Sequence, residues 1–108
     1  MRIKHFIKEK MLVVEITEEL DHHESEKIRR RVDYEIQRFI PKRVILDFDR
    51  VVFMDSAGIG LIIGRYRIAN MLGGTIEIAN VTDSIKRVLE LSGILKIIKI
   101  TDLEEMVG

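Results

Sequence analysis

The sequence predicts a single α/β domain with a mixed, mostly parallel β-sheet and about four helices. Apolar residues recur at helical spacing in several segments, and short apolar or alternating runs of strand length separate those segments. The length of 108 residues suits one domain. Strands that alternate with helices pair in parallel through right-handed crossovers, so the predicted order is β-β-α-β-α-β-α-β-α.

Five strands are predicted from alternation or from short apolar runs, at residues 2–8, 11–17, 44–48, 75–79 and 96–100. A turn near Glu9 and Lys10 joins the first two as a hairpin, which makes the first strand an antiparallel edge. The run at 44–48 is nearly continuous in apolar residues, a pattern typical of a central strand that is covered on both faces.

The helices are predicted from capping residues that precede apolar residues at helical spacing. Their expected starts are near Asp21, Ala57, Thr82 and Thr101. Asp21 with Glu24 forms a capping box at the first helix, and Pro41 marks the end of that helix. Thr101 with Glu104 forms a second capping box, which predicts a short terminal helix.

The composition argues against several function classes. Lys with Arg and Asp with Glu both total 18, so the basic surplus typical of nucleic-acid binders is missing. The chain has no cysteine, and therefore no disulfide, thiolate metal site or cysteine nucleophile. No apolar run approaches the roughly 20 residues that span a bilayer, and the amino terminus lacks the apolar centre of a signal peptide. We expect a cytoplasmic protein with no nucleic-acid partner and no membrane partner.

The most informative segment is Asp55-Ser56-Ala57-Gly58, where a strand and a short link lead into the second helix. In one interpretation Asp55 or Ser56 is only a helix cap, which accepts hydrogen bonds from free amides of the first turn. In a second, Ser56 is a regulatory phosphorylation site. The helix start tolerates the added charge, whereas a partner built for a neutral hydroxyl beside Asp55 does not. The two interpretations are compatible.

A third interpretation is a nucleotide-binding turn, because Gly58, Gly60 and Gly64 lie at a helix start after a strand. The spacing argues against it, since Ile63 stands where a dinucleotide fingerprint requires glycine, and the ending of a phosphate loop is absent. The G-x-S-x-G elbow of serine hydrolases is absent too. The adjacent histidines at 22–23 point in different directions on a helix. We therefore predict no catalytic residue, no cofactor and no metal.

Three segments carry a resemblance to a known family: EELDHH at 18–23, FMDSAGIGLIIGRYR at 53–67 and SIKRVLELSGILKII at 84–98. The chain resembles a stand-alone bacterial STAS domain of the anti-sigma factor antagonist, or anti-anti-sigma factor, type. The likeness is in register over nearly all 108 residues, and its middle segment is the specific one. It implies a single STAS domain over residues 1–108 that is not an enzyme.

The resemblance also implies a partner-switching cycle. The unphosphorylated antagonist binds an anti-sigma factor that is also a serine kinase, and so releases a sigma factor. That kinase phosphorylates the antagonist, which then dissociates, and a serine phosphatase resets it. The phosphoacceptor of the family falls on Ser56, the preceding acid on Asp55, the acid before the first helix on Asp21, and the following glycines on Gly58 and Gly60. The alternative is a STAS scaffold subunit of a signalling or transporter assembly without a phospho-switch.

Many members of the family have two serines in this loop, whereas here Ala57 replaces the second and leaves one acceptor. Three apolar residues near the loop are candidate anchors for a partner: Phe53, Met54 and Ile59. Core packing is the alternative for each of them, and the favoured one for Phe53. The expected partner-binding residues are Asp21, Met54, Asp55, Ser56, Gly58 and Ile59.

Overall fold

The structure of the protein is a computed structural model, and it describes residues 1–103. Its strands are β1 (Arg2–Phe6), β2 (Met11–Glu15), β3 (Arg43–Asp47), β4 (Thr75–Ala79) and β5 (Lys99–Thr101). Its helices are α1 (His22–Phe39), α2 (Ser56–Met71) and α3 (Asp83–Ser92), with a short 3-10 helix at Ile94–Lys96.

The five strands form one sheet in the order β1-β2-β3-β4-β5. β1 pairs with β2 in antiparallel fashion, and every other pair is parallel, which confirms the predicted mixed sheet and its antiparallel edge. In the register, Met11 lies beside Arg43 and Arg43 lies beside Thr75. The three central strands therefore begin level with one another, and the loops before and after them form two opposite rims of the sheet.

All three helices pack on one face of the sheet. Val44 and Leu46 face the same apolar cluster as Ile36 of α1, Ile62 of α2 and Leu89 of α3, and all five are buried. This cluster matches the helical spacing of apolar residues seen in the sequence. A smaller cluster covers the opposite face of the strands and consists of Met11, Val13, Ile45 and Ala79, with Phe6 and Leu103 packed against it. The prediction that β3 is covered on both faces is confirmed.

Two details of the predicted elements need correction. The described residues contain three α-helices rather than about four, and the predicted terminal helix near Thr101 and Glu104 extends beyond the described residues. The last strand begins at Lys99, not at residue 96. The reason is that Gly93 adopts the left-handed conformation, with φ of 81°, and the chain makes one further turn through Ile94 before it joins the sheet.

Candidate functional site

The amino-terminal ends of α1 and α2 lie side by side at the rim where β2 and β3 end. An isolated parallel bridge between Leu20 and Met54 holds them there. The Leu20 amide donates to the Phe53 carbonyl at 3.1 Å, and the Asp55 amide donates to the Leu20 carbonyl at 3.3 Å. Asp21 and Asp55, the residues that follow the bridge on each segment, therefore lie on one rim, as the sequence predicted.

Both aspartates act as helix caps. The Asp21 carboxylate accepts from the Glu24 amide at 2.8 Å, and the Asp55 carboxylate accepts from the Ala57 amide at 2.8 Å. Asp55 is thus the cap of α2, and Ser56 is the first residue of the helix itself. Ser56 is exposed, and within residues 1–103 its hydroxyl has no hydrogen-bond partner. The capping role therefore belongs to Asp55, and the Ser56 hydroxyl is left available to another molecule.

Gly58 lies beneath this rim and is buried. A Cβ atom at that position would overlap Met54 Cγ and would lie 2.6 Å from Met54 Sδ and 3.3 Å from Leu20 Cβ. The absence of a side chain is therefore what lets the first turn of α2 pack on the segment that carries the Leu20–Met54 bridge. A Cβ atom at Gly60, two residues further along α2, would have no neighbour within 4 Å.

The apolar residues before the cap differ in depth. Met54 is only 7% exposed, so its side chain belongs to the core and is not the accessible anchor that the sequence suggested. Ile59 is half-buried and packs against the core. Phe53, for which core packing was favoured, is 47% exposed, and that expectation is wrong. Val52 is 73% exposed at the same rim and was missed, although its place in a loop between strand and helix was a usable signal.

An ion pair joins the middle of α1 to the middle of α2. Arg65 Nε lies 2.6 Å from Asp33 Oδ1, although the geometry falls short of a well-aligned hydrogen bond. Arg65 is almost fully buried. Burial raises the pKa of Asp33 above its usual value although Arg65 and Arg29 oppose the shift, and burial lowers the pKa of Arg65 although Asp33 opposes it. Desolvation therefore outweighs the attraction in the pKa values of both groups, and removal of one partner would leave a buried charge unpaired.

A shallow groove with a volume of about 220 Å³ runs between the first turns of α1 and α2. His22, Glu26 and Arg29 line it from α1, and Ala57 and Gly60 line it from α2. The Arg29 guanidinium donates to the Glu26 carboxylate at 2.8 Å, and this contact holds the pKa of Glu26 below its usual value. The groove thus extends the polar surface near Ser56 onto α1, with its one carboxylate neutralised by Arg29.

Residues 1–103 hold neither a candidate metal site nor a candidate membrane span. They contain no group of three or more His, Asp or Glu side chains that is placed to hold a metal ion. No helix among them is both long and apolar enough to cross a membrane.

The fold and the paired helix starts match a known class of domain. The chain belongs to the STAS domain family, whose match covers residues 3–106. Among curated proteins, it is similar to the anti-sigma F factor antagonist of Paenibacillus polymyxa, with 39% identity over 94 residues, 87% of this chain and 80% of that protein. The anti-sigma F factor antagonist of Lysinibacillus sphaericus is 31% identical over 83 residues, 77% of this chain and 71% of that protein.

Solved structures agree with these relatives. The anti-sigma factor antagonist SpoIIAA in its unphosphorylated form superposes with a TM-score of 0.82 and 28% identity, over 98% of this chain and 91% of that one. The Bacillus cell fate determinant SpoIIAA in its phosphorylated form superposes with a TM-score of 0.74 and 28% identity, over 98% of this chain and 95% of that one. The same fold therefore accompanies both forms of SpoIIAA.

Proposed function

We propose that this protein is an anti-sigma factor antagonist that is switched by phosphorylation of Ser56. The unphosphorylated form binds an anti-sigma factor that is also a serine kinase, and this binding releases a sigma factor. Phosphorylation of Ser56 by that kinase ends the binding, and a serine phosphatase restores it. The protein acts in the cytoplasm as a binding module and not as an enzyme. Its similarity to two anti-sigma F factor antagonists supports this proposal.

The observation that carries the proposal is the free hydroxyl of Ser56 at the first position of α2. Because Asp55 already caps the helix, a phosphate on Ser56 displaces no intramolecular hydrogen bond. The positive end of the helix dipole tolerates the added charge of about −1.5 to −2. The fold should therefore survive phosphorylation, in agreement with the likeness of this chain to both forms of SpoIIAA.

A phosphate on Ser56 should weaken the binding of a partner at this rim, although it leaves the fold intact. Asp21 and Asp55 already make the rim acidic, so a partner that fits it must complement two carboxylates and a neutral hydroxyl. A dianion in the same contact adds repulsion and desolvation that the partner does not compensate. About 3 kcal/mol of such cost weakens binding more than a hundredfold.

The partner contact is expected to combine these polar groups with exposed apolar side chains. Val52 and Phe53 supply the exposed apolar area, and Ile59 supplies a half-buried edge. Met54 and Gly58 are buried beneath the rim, and their mutual packing sets the position of the Ser56 backbone. In this arrangement Met54 and Gly58 position the interface without presenting side chains to the partner.

The test is intact-mass measurement after incubation with the cognate anti-sigma kinase and ATP. The parent chain should gain one phosphate, Ser56→Ala should gain none, and Ser84→Ala should behave as the parent. Ser84 is a matched control because it is also exposed in the first turn of a helix. Size-exclusion chromatography of the same mixtures should show loss of the complex on phosphorylation. A complex that persists with phosphate on Ser56 would instead favour a STAS scaffold without a switch.

A further inference from the structure

The rim of the sheet opposite Ser56 has a distinct surface. Four segments form it: residues 7–10, 40–42, 71–74 and 96–98. They meet because β2, β3 and β4 begin level with one another. The Lys42 amide donates to the Lys10 carbonyl at 2.7 Å, and the Thr75 amide donates to the Lys42 carbonyl at 3.0 Å. We call these four segments the amino-end rim.

Exposed apolar side chains concentrate on the amino-end rim. Of the ten large apolar residues that are exposed in the described part of the chain, five lie here: Ile7, Ile40, Met71, Leu72 and Ile97. Met71 is 84% exposed and Ile7 is 69% exposed. Since scattered single residues need no explanation but a concentration of this kind marks an interaction surface, the amino-end rim is a candidate docking site.

The charges of the two rims are opposite, although the formal net charge of the chain is zero. The amino-end rim has four cationic side chains against one acidic side chain, Glu9, for a net charge of +3: Lys8, Lys10, Lys42 and Lys96. The loops of the opposite rim, residues 16–21, 48–55 and 80–82, have five acidic side chains against Arg50, for a net charge of −4, which the Met1 ammonium beside Glu18 reduces to −3. The sheet therefore separates a basic, apolar end from the acidic end that holds Ser56.

Ile40 adds a separate observation. It is 52% exposed and adopts the left-handed conformation, with φ of 48° and ψ of 61°. A β-branched residue is strained there, and glycine is the usual choice at this position after a helix. Neither backbone conformation nor burial therefore favours isoleucine at position 40, which is consistent with a role for its side chain outside the folded chain.

We propose that the amino-end rim binds the surface of an anionic membrane. Its exposed apolar side chains lie on four separate segments, and of the five only Ile97 lines the groove between residues 42–43, 75–77 and 95–99. This arrangement suits shallow insertion into a lipid interface better than capture of a peptide. The lysines between them complement anionic headgroups, each contributing attraction near the surface. The acidic rim is repelled by the same surface, so the bound protein is oriented with Ser56 toward water. The sequence predicted no membrane partner because no segment spans a bilayer, and peripheral binding requires no span.

The test is co-sedimentation of the full chain with vesicles of phosphatidylglycerol and phosphatidylcholine, with pure phosphatidylcholine vesicles as the comparison. Binding is expected only to the anionic vesicles, and it should weaken as the salt concentration rises. Replacing Lys8, Lys10 and Lys42 by glutamine should reduce binding by about a hundredfold. Met71→Ser should reduce it by about tenfold, because one exposed side chain loses its insertion.

The controls lie away from the amino-end rim. Val52→Ser removes a side chain that is 73% exposed on the acidic rim, and should leave vesicle binding unchanged. Replacing Lys4, Lys27 and Lys86 by glutamine removes the same charge elsewhere and should have a much smaller effect. No binding to anionic vesicles overturns the proposal. Competition by soluble polyglutamate, with no effect of Met71→Ser, also overturns it and identifies an acidic polypeptide as the ligand.

Discussion

The two glycines in the first turns of α2 provide a direct test of how the site is built. Replacing a helical glycine by alanine stabilises a protein by about 0.5–1 kcal/mol when space is available, because the unfolded chain loses freedom. Gly60 meets this condition, since a Cβ atom there has no neighbour within 4 Å. Gly58 does not, since a Cβ atom there would overlap the Met54 side chain near its middle, where it cannot easily move away.

The difference in stability between the two variants measures the cost of the overlap at position 58. Both substitutions carry the same gain in helix propensity, and only Gly58→Ala adds the overpacking penalty of about 1–3 kcal/mol. We therefore expect Gly60→Ala to be more stable than Gly58→Ala by about 1–3 kcal/mol in chemical denaturation followed by circular dichroism. Binding of the anti-sigma kinase should weaken in Gly58→Ala, because a displaced Met54 shifts the segment that positions Ser56.

A third variant decides the cause. Met54→Ala removes the atoms that a Cβ at position 58 would overlap, so in that background Gly58→Ala should lose most of its penalty. Equal stability of Gly58→Ala and Gly60→Ala would refute this account of the packing. An unchanged difference in the Met54→Ala background would show that the penalty arises elsewhere, with Leu20 as the remaining neighbour.

Three further predictions concern stability and are measured by denaturation with urea. Ile40→Gly should stabilise the protein by about 1 kcal/mol by relieving its left-handed strain, and any loss of stability would contradict this. Hydrogen bonds from Arg43 hold the pKa of Glu77 below its usual 4.5, so the stability from this pair is present above pH 4.5 and lost as the pH falls below it. Glu77→Gln should accordingly flatten the decline between about pH 5 and pH 3. Arg65→Ala should destabilise by about 3 kcal/mol, and Arg65→Met with Asp33→Leu by clearly less, because the double variant leaves no buried charge unpaired.

Local chemistry explains what could be predicted from the sequence. Asp21 and Thr82 are side-chain caps, and both cap the helices that the sequence assigned to them. Their signals are readable because a cap acts on amides only two or three residues away. The parallel pairing of β2 to β5 was predictable in the same way, since strands that alternate with helices pair through parallel crossovers.

Contacts between distant segments explain which features could not be predicted from the sequence. The run from Val51 to Met54 is apolar throughout and has no period, so the sequence does not show which members are exposed. The Leu20–Met54 bridge determines which of them are exposed, because it places the Met54 side chain in the core and leaves those of Val52 and Phe53 at the surface. The charge separation between the rims is similarly invisible in the composition, since the acidic and basic loops alternate along the chain and separate only when the strands align.

The position of Ser56 relative to the two caps has a consequence for the proposed switch. Asp21 and Asp55 each use one carboxylate oxygen to hold a helix amide, and the Leu20–Met54 bridge keeps the two caps adjacent. Neither cap depends on the Ser56 hydroxyl, so phosphorylation can change the charge of the rim without loosening either helix. A phosphate that replaced a capping bond would instead act by unfolding the first turn of α2. Because Asp55 caps the helix and the neighbouring Ser56 is the proposed phosphate acceptor, electrostatic exclusion of the partner is the mechanism we expect for the proposed switch.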